Sequence, residues 1–310
     1  MLKMGQLWAT STQGGLLYSP LLSKETNHQA QPLLRFKQFC DMKMEAGKNK
    51  GETFLFDKYG NIDTGGGTLT ETATIPQHGF RVYQGTGTLY EWGNSVPWTR
   101  KYESLSQIEQ RGPVQRVLSD DLAKTLDTAV EAQFDACMVR YNATSTTTGT
   151  FHTNGTDTET QTSALNRYHA KTIYDYLWNT LNAPPYFADG EDYGGVLSQN
   201  AARGIFNDCE TVQMYTKFPM QGEIGRYSQL RMVKTNHGLS NAVGNGSAYG
   251  EAYFFGNNAV MEGIAIAPII VPKEVTDYQR SRGLAWYAIL GYKIYWAGDP
   301  DNTIVKMGSA

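Results

Sequence analysis

One stretch of the chain carries a sustained helical period; the rest alternates in short strands and turns. Over residues 119–141, Leu122, Leu126, Ala129, Val130, Phe134, Cys137 and Tyr141 recur at three- and four-residue steps. This gathers them on one face of a helix roughly 34 Å long. Ser119 is the expected N-cap, its hydroxyl accepting a first-turn N–H. Asp120 and Asp121 follow where negative charge suits the helix dipole. Asp120, Lys124, Asp127, Glu131 and Asp135 are expected on the opposite, solvated face.

Ahead of this helix the pattern is extended. Residues 53–56, 69–75, 80–83 and 88–90 read as strand pieces, separated by turn chemistry at Tyr59-Gly60-Asn61 and Gly65-Gly66-Gly67. Residues 101–108 and 113–118 continue the extended chain into Ser119. The expectation is a long two-stranded excursion with no helix of its own, which is marginal alone and needs a surface to lie against. Residues 1–50 show no sustained period and read as disordered or as an arm that finds its apolar surface on a partner.

Behind the helix, threonine-rich residues 142–163 predict a surface connection with a hairpin around Asn154-Gly155. A second helix is expected from Leu165, Tyr168, Ile173, Tyr176, Leu177 and Leu181, ended by Pro184-Pro185. A short strand at 194–197 and a small helix through Ala201, Ala202, Ile205 and Phe206 follow. Strands are then expected at 230–235, 249–255 and 264–271, the last apolar throughout and so buried on both faces. Over 284–296 the even positions Trp286, Ala288, Leu290, Tyr292, Ile294 and Trp296 form one apolar face; 298–302 is a turn and 304–307 the final strand.

The 310 residues allow one large domain or two modest ones. The 32 glycines and 19 tyrosines fit a chain rich in turns and half-buried strand surface. A net charge of −3 disfavours a polyanion-binding role. Cys40, Cys137 and Cys209 are far apart, match no metal spacing or disulfide framework, and point to a reducing compartment. The first 15 residues lack the apolar core of a signal peptide. The longest apolar run is broken by Pro268 and falls far short of the roughly 20 residues of a membrane span. A soluble, cytosolic product is expected.

Catalytic patterns are missing: there is no phosphate-binding glycine loop, dinucleotide fingerprint, nucleophile elbow or His-Glu-x-x-His. His28, His78, His152, His169 and His237 are scattered. Asp189-Gly190-Glu191-Asp192 reads first as a solvated acidic loop and second as a calcium loop. Glu251 and Glu262 are the kind of carboxylates a hydrolase pairs. No catalytic role, cofactor or metal is expected.

One motif remains. Gly222-Glu223-Ile224-Gly225-Arg226-Tyr227 reads as a turn, or as backbone passing close to another backbone, with Arg226 suited to hold a carboxylate or carbonyls. Together with residues 230–235 it resembles a segment of tailed-phage major capsid proteins, in the group related to the coat protein of N4-like podoviruses. The resemblance continues in order. Residues 51–59 are similar to the rising strand of that group's extended hairpin, and 107–112 with 117–120 to its descent into the spine helix. Residues 182–186 and 194–197 resemble the linker into an axial-domain strand, and 282–286 with 304–306 the closing strands. Residues 79–97 and 142–163 match less well.

This resemblance implies an α+β chain with the Johnson fold of tailed-phage and herpesvirus coats. The implied parts are an N-terminal arm (1–50), an extended loop (51–112), a peripheral domain (113–164 and 273–310) holding the spine helix, and an axial domain (165–272). It implies self-assembly into hexamers and pentamers of an icosahedral phage head, enclosing double-stranded DNA without reading its sequence, with no membrane involved. A separate scaffolding protein, a portal and a decoration protein are the implied partners, and the virion, assembled in the bacterial cytoplasm, the implied location. Phe54, Phe56 and Tyr59 on the hairpin, and Gly222, Glu223, Ile224, Gly225 and Arg226, are the expected assembly residues. Asp127, Glu131 and Asp135 are expected as an acidic ridge on the inner face of the shell, repelling DNA. The competing class is a β-rich binding, adhesion or tail-associated protein; the capped helix argues against an all-β lectin.

Overall fold

The computed structural model describes residues 34–44, 51–59, 67–72, 74–75, 77–80, 82–106, 109–155, 161–187, 191–209, 223–239, 250–295 and 303–309. Most of the expected arm, Gly222, Trp296 and the turn at 298–302 lie outside them. The described elements are β1 (Cys40–Met44), β2 (Thr53–Tyr59), β3 (Val82–Thr88), β4 (Tyr90–Thr99), α1 (Arg100–Leu105), α2 (Arg111–Asp135), β5 (Val139–Ala143) and β6 (Gly149–His152). They continue as α3 (Arg167–Asp175), a π turn (Tyr176–Thr180), β7 (Tyr193–Leu197), α4 (Gln199–Cys209), β8 (Glu223–Tyr227) and β9 (Leu230–Lys234). The closing strands are β10 (Gly250–Phe255), β11 (Val260–Pro272), β12 (Ser281–Ile294) and β13 (Ile304–Ser309).

The long helix is present but displaced. It begins at Arg111 and ends at Asp135, so Ser119 is interior and donates its hydroxyl to the Gln115 carbonyl at 3.0 Å. Gly112-Pro113 does not stop it, because a first-turn proline gives up an N–H that has no partner there anyway. At the other end the Cys137 N–H closes onto the Phe134 carbonyl. Val139, Arg140 and Tyr141 then run as a strand, with β-branched and aromatic residues suited to a pleated surface. Cys137 and Tyr141 are buried, but not on the helix. Nor is the preceding chain without helices: α1 is capped by Thr99 Oγ1, which accepts the Tyr102 N–H at 3.3 Å. Residues 69–75 carry no strand among those described.

Two sheets share the fold with a hairpin. A four-stranded sheet runs β1-β11-β12-β4, and α2 lies across it. The even positions of β12 behave as their spacing predicts: Trp286, Ala288, Leu290, Tyr292 and Ile294 are all buried, facing Leu118, Leu126, Val130 and Phe134 of α2. A seven-stranded mixed sheet runs β6-β5-β13-β10-β7-β9-β8, with α3 and α4 packed on it. Strand β10 joins the two cores. Tyr253 and Phe255 point into the α2 side, Ala252 and Phe254 into the α3–α4 side. The chain crosses between the sheets several times, so contiguous boundaries do not describe them. β5, β6 and β13, expected in the spine-helix part, hydrogen-bond in the seven-stranded sheet, while β4 and β11 belong to the four-stranded one.

Strand β11 departs from the expected burial. Ile266, Ile269 and Val271 are substantially exposed, and the pairing with β12 slips between Ile264 and Ile269. Pro268 lies inside that slip, where a residue with no N–H to give is tolerated. Likewise the threonine-rich stretch turns at 144–148, joining β5 to β6, rather than at Asn154-Gly155.

Candidate assembly surfaces and the charge clusters behind them

The β2–β3 hairpin divides its side chains sharply. Phe54 and Phe56 are 4% and 5% exposed. The Phe54 ring covers Gly87 and Gly263, and the Phe56 ring covers Gly85 and stacks on Tyr295 at 5.1 Å between centroids. A Cβ at any of these three glycines would run into the ring. Both phenylalanines thus belong to the chain's own packing, with Leu89, Met261, Ala265 and Ile289. Tyr59 is different: it is 66% exposed, and Leu55, Phe80, Val82 and Tyr83 are open with it. Of the three hairpin residues expected to serve assembly, only Tyr59 presents its side chain outward.

The 222–227 motif forms the edge strand β8. Gly225 has neither a left-handed backbone nor any atom within 4 Å of where a Cβ would sit. The close backbone approach is therefore not its purpose; it stands at a slip in the β8–β9 register. Ile224 packs on the second core, while nothing of Glu223 beyond its place in β8 is described. Arg226 does hold a carboxylate. Its Nε and terminal nitrogen reach Asp192 Oδ1 at 2.9 and 2.7 Å, and Arg231 Nε takes Oδ2 at 2.9 Å. Asp192 is fully buried, so one member of the expected solvated acidic loop instead ties β8, β9 and the start of β7 together. Arg231 also lies over the Phe187 ring at 4.4 Å.

The acidic residues of α2 do not form an open ridge. Asp127 is 1% exposed. Its Oδ1 accepts the N–H groups of Phe36 and Lys37 at 2.9 and 3.1 Å, and its Oδ2 faces His237 Nδ1 at 3.2 Å. The helix face that carries it is covered by residues 36–37 and by His237, and the carboxylate becomes a clamp for two other segments. Phe36, so held, packs its ring against Phe134 and Tyr253.

About two turns further, Asp135 pairs with Lys306 and accepts from the Tyr253 hydroxyl at 3.3 Å; Lys306 also meets Glu251 at 2.9 Å. Burial alone would raise the Asp135 pKa, but the hydrogen bond and charge of Lys306 hold it below its ordinary value. Burial alone would lower that of Lys306, which its two carboxylate partners raise instead. Glu131 shares this surface without a hydrogen bond among the described residues. Burial, then the charges of Glu251 and Asp135, push its pKa up to about 7. Glu262, the other candidate catalytic carboxylate, is buried and accepts from the Tyr292 hydroxyl at 2.9 Å.

Both described cysteine thiols are shielded: burial pushes Cys137 up to about 12, and Cys40 rises well above its ordinary value. Among the described residues no group of three or more His, Cys, Asp or Glu could hold a metal ion. No described helix is long and apolar enough to cross a membrane.

Sequence comparison is silent: no family model and no curated protein matches the chain. Its fold has clear counterparts. The capsid chain of Ralstonia phage GP4 superposes with a TM-score of 0.70 at 12% identity, covering 97% of this chain and 96% of that one. The head chain of Helicobacter pylori bacteriophage KHP40 gives 0.67 at 12%, covering 94% of both. The capsid chain of cyanophage P-SCSP1u gives 0.66 at 13%, covering 95% and 93%. Over the matched 95–97% the chain therefore has the Johnson fold of tailed-phage capsid chains, with the α+β make-up expected of it.

Proposed function

We propose that this protein is the major capsid protein of a tailed phage, building hexamers and pentamers of an icosahedral head around double-stranded DNA. The observation that carries the reading is the reciprocal likeness to capsid chains, which covers more than nine-tenths of both partners in each comparison. The hairpin supports it independently. A free subunit leaves Leu55, Tyr59, Phe80, Val82 and Tyr83 in water on one projection, an apolar surface that a neighbouring subunit would cover. In this reading the four-stranded sheet with α2 is the peripheral domain, and the seven-stranded sheet with α3 and α4 the axial domain. β2–β3 is the extended loop, and residues before β1 form the arm. A separate scaffolding protein, a portal and a decoration protein are the partners such a shell would use, and the virion is where the protein would reside. Asp127 is withdrawn from any DNA-facing role by its burial. Expression with candidate scaffolding partners, followed by sedimentation and negative-stain microscopy, tests the reading. Closed shells or capsomers of very high mass are expected; a discrete small oligomer under every condition overturns it.

A further inference from the structure

The loop between β11 and β12 carries Tyr278, at 99% the most exposed large apolar side chain among the described residues. It stands in the middle of Asp277, Tyr278 and Gln279, whose φ values are 54°, 49° and 71°. Successive L-residues in the left-handed region are sterically disfavoured, and no glycine relieves them here. The turn is nonetheless held: Arg280 N–H donates to the Asp277 carbonyl at 2.9 Å, and Arg100 reaches Gln279 Oε1 at 3.4 Å. The phenol is thus projected into solvent by a braced loop. At the base of the same hairpin, the ends of β4, β11 and β12 enclose an open groove of about 640 Å³ lined by Val96, Pro97, Trp98, Pro272, Leu284 and Ala285. An open apolar groove of this kind accepts an aromatic ring whose polar end stays at the mouth.

We propose that Tyr278 of one copy seats in this groove of a second copy, its ring against the apolar walls and its hydroxyl at the open mouth. A second copy is the fitting occupant because knob and groove lie at the same end of one sheet. Copies turned about an axis beside that end each present one and receive one, as a rotationally symmetric contact requires. Charge allows it: Asp277 is already paired with Arg280 of the same loop at 3.9 Å, which leaves Glu274 beside the knob to meet Lys273 at the rim of the groove, braced by Ser281 Oγ at 2.7 Å. The groove is walled by paired strands and the knob sits on a turn held by the Arg280 N–H, so the contact needs no refolding.

The proposal rests on the shell reading, and its test separates the two. Particles carrying Tyr278→p-benzoyl-phenylalanine are irradiated and the cross-linked peptides identified. Cross-links from position 278 to residues 95–98 or 281–285 of another chain are expected. Particles that form yet cross-link elsewhere, within one chain, or not at all overturn the contact and leave the shell reading standing. A wild-type chain that never assembles overturns both. Tyr278→Ala provides the second measurement: an unchanged melting temperature, since the side chain touches nothing in its own subunit, and at least a tenfold higher protein concentration for assembly. An unchanged threshold overturns the proposal.

Discussion

The seven-stranded sheet and the β2–β3 hairpin are built from similar strand residues and meet opposite fates. Strands β7, β10 and β13 are buried at every position, because α2 with the four-stranded sheet covers one face and α3 with α4 the other. The hairpin has one covered patch, under Phe54 and Phe56, and its other described apolar side chains, Leu55, Tyr59, Val82 and Tyr83, are exposed. Apolar residues in the first region stabilise the subunit; in the second they contribute nothing to it until another surface arrives. Burial, not strand propensity, decides which role an aromatic residue has.

That contrast is broken most forcefully inside the core. Phe134→Ala removes a ring that touches Phe36, Tyr253 and Phe255. The expected cost is about 3–5 kcal/mol, read as a lower denaturant midpoint or an insoluble product. Gly87→Val drives a side chain into the Phe54 ring, with an expected cost of about 1–3 kcal/mol. Hydrogen exchange should then quicken in residues 53–59 and 82–88 and stay unchanged in the seven-stranded sheet. Uniform quickening would mean that hairpin and sheet are one cooperative unit.

Asp127→Ala strands the Phe36 and Lys37 N–H groups, for an expected loss of about 1–3 kcal/mol. Proteolysis should advance first at residues 34–39. A smaller effect is expected from pH. The folded pKa of Glu131, about 7, lies above its ordinary 4.5, so the folded subunit holds a proton that the unfolded chain has released. Its contribution is therefore present at acid pH and lost as pH rises through 7. Asp135 is shifted the other way, and its contribution disappears only in acid below its ordinary 3.8. Glu131→Gln should flatten the stability profile between pH 5 and 7 and leave the acid limb in place. Least of all, Tyr59→Ser should alter subunit stability by no more than about 0.5 kcal/mol, while raising the concentration needed for assembly.

Much of the fold was legible along the chain. The two-residue period of β12 named its buried face correctly. The helical spacing from Leu165 to Leu181 found a helix where α3 and the π turn lie, without distinguishing the two, and Phe54 and Phe56 marked a real strand. What misled were features whose meaning depends on neighbours. Pro113 looks like a helix breaker until its place in the first turn is known. Tyr141 keeps a helical phase with Phe134 by coincidence and in fact lies beside Phe151 of the neighbouring strand β6 and hydrogen-bonds His169 of α3. Asp127 reads as solvated because its two N–H partners are some ninety residues away in sequence. Arg226 was legible as a carboxylate holder, but Asp192 as its partner was not, being 34 residues distant. The exposed Tyr278 had no local signature at all: three left-handed residues without glycine are invisible to turn chemistry.

One feature of the hairpin reaches beyond its own strands. Strands β3 and β4 are separated by the single residue Leu89, which is buried and donates its N–H to the Glu52 carbonyl at 2.8 Å. Directly beside it, the Thr88 carbonyl lies so close to Gly291 that no side chain fits between them. Leu89 therefore works as a fulcrum and the two strands as the arms of one lever. Past the fulcrum, β4 is bonded to β12 along its length, and Asn94 grips Asp121 of α2 at 2.9 Å. A push on the outer arm would be delivered to the long helix as torque, so whatever rests on the hairpin also leans on the beam at the centre of the subunit.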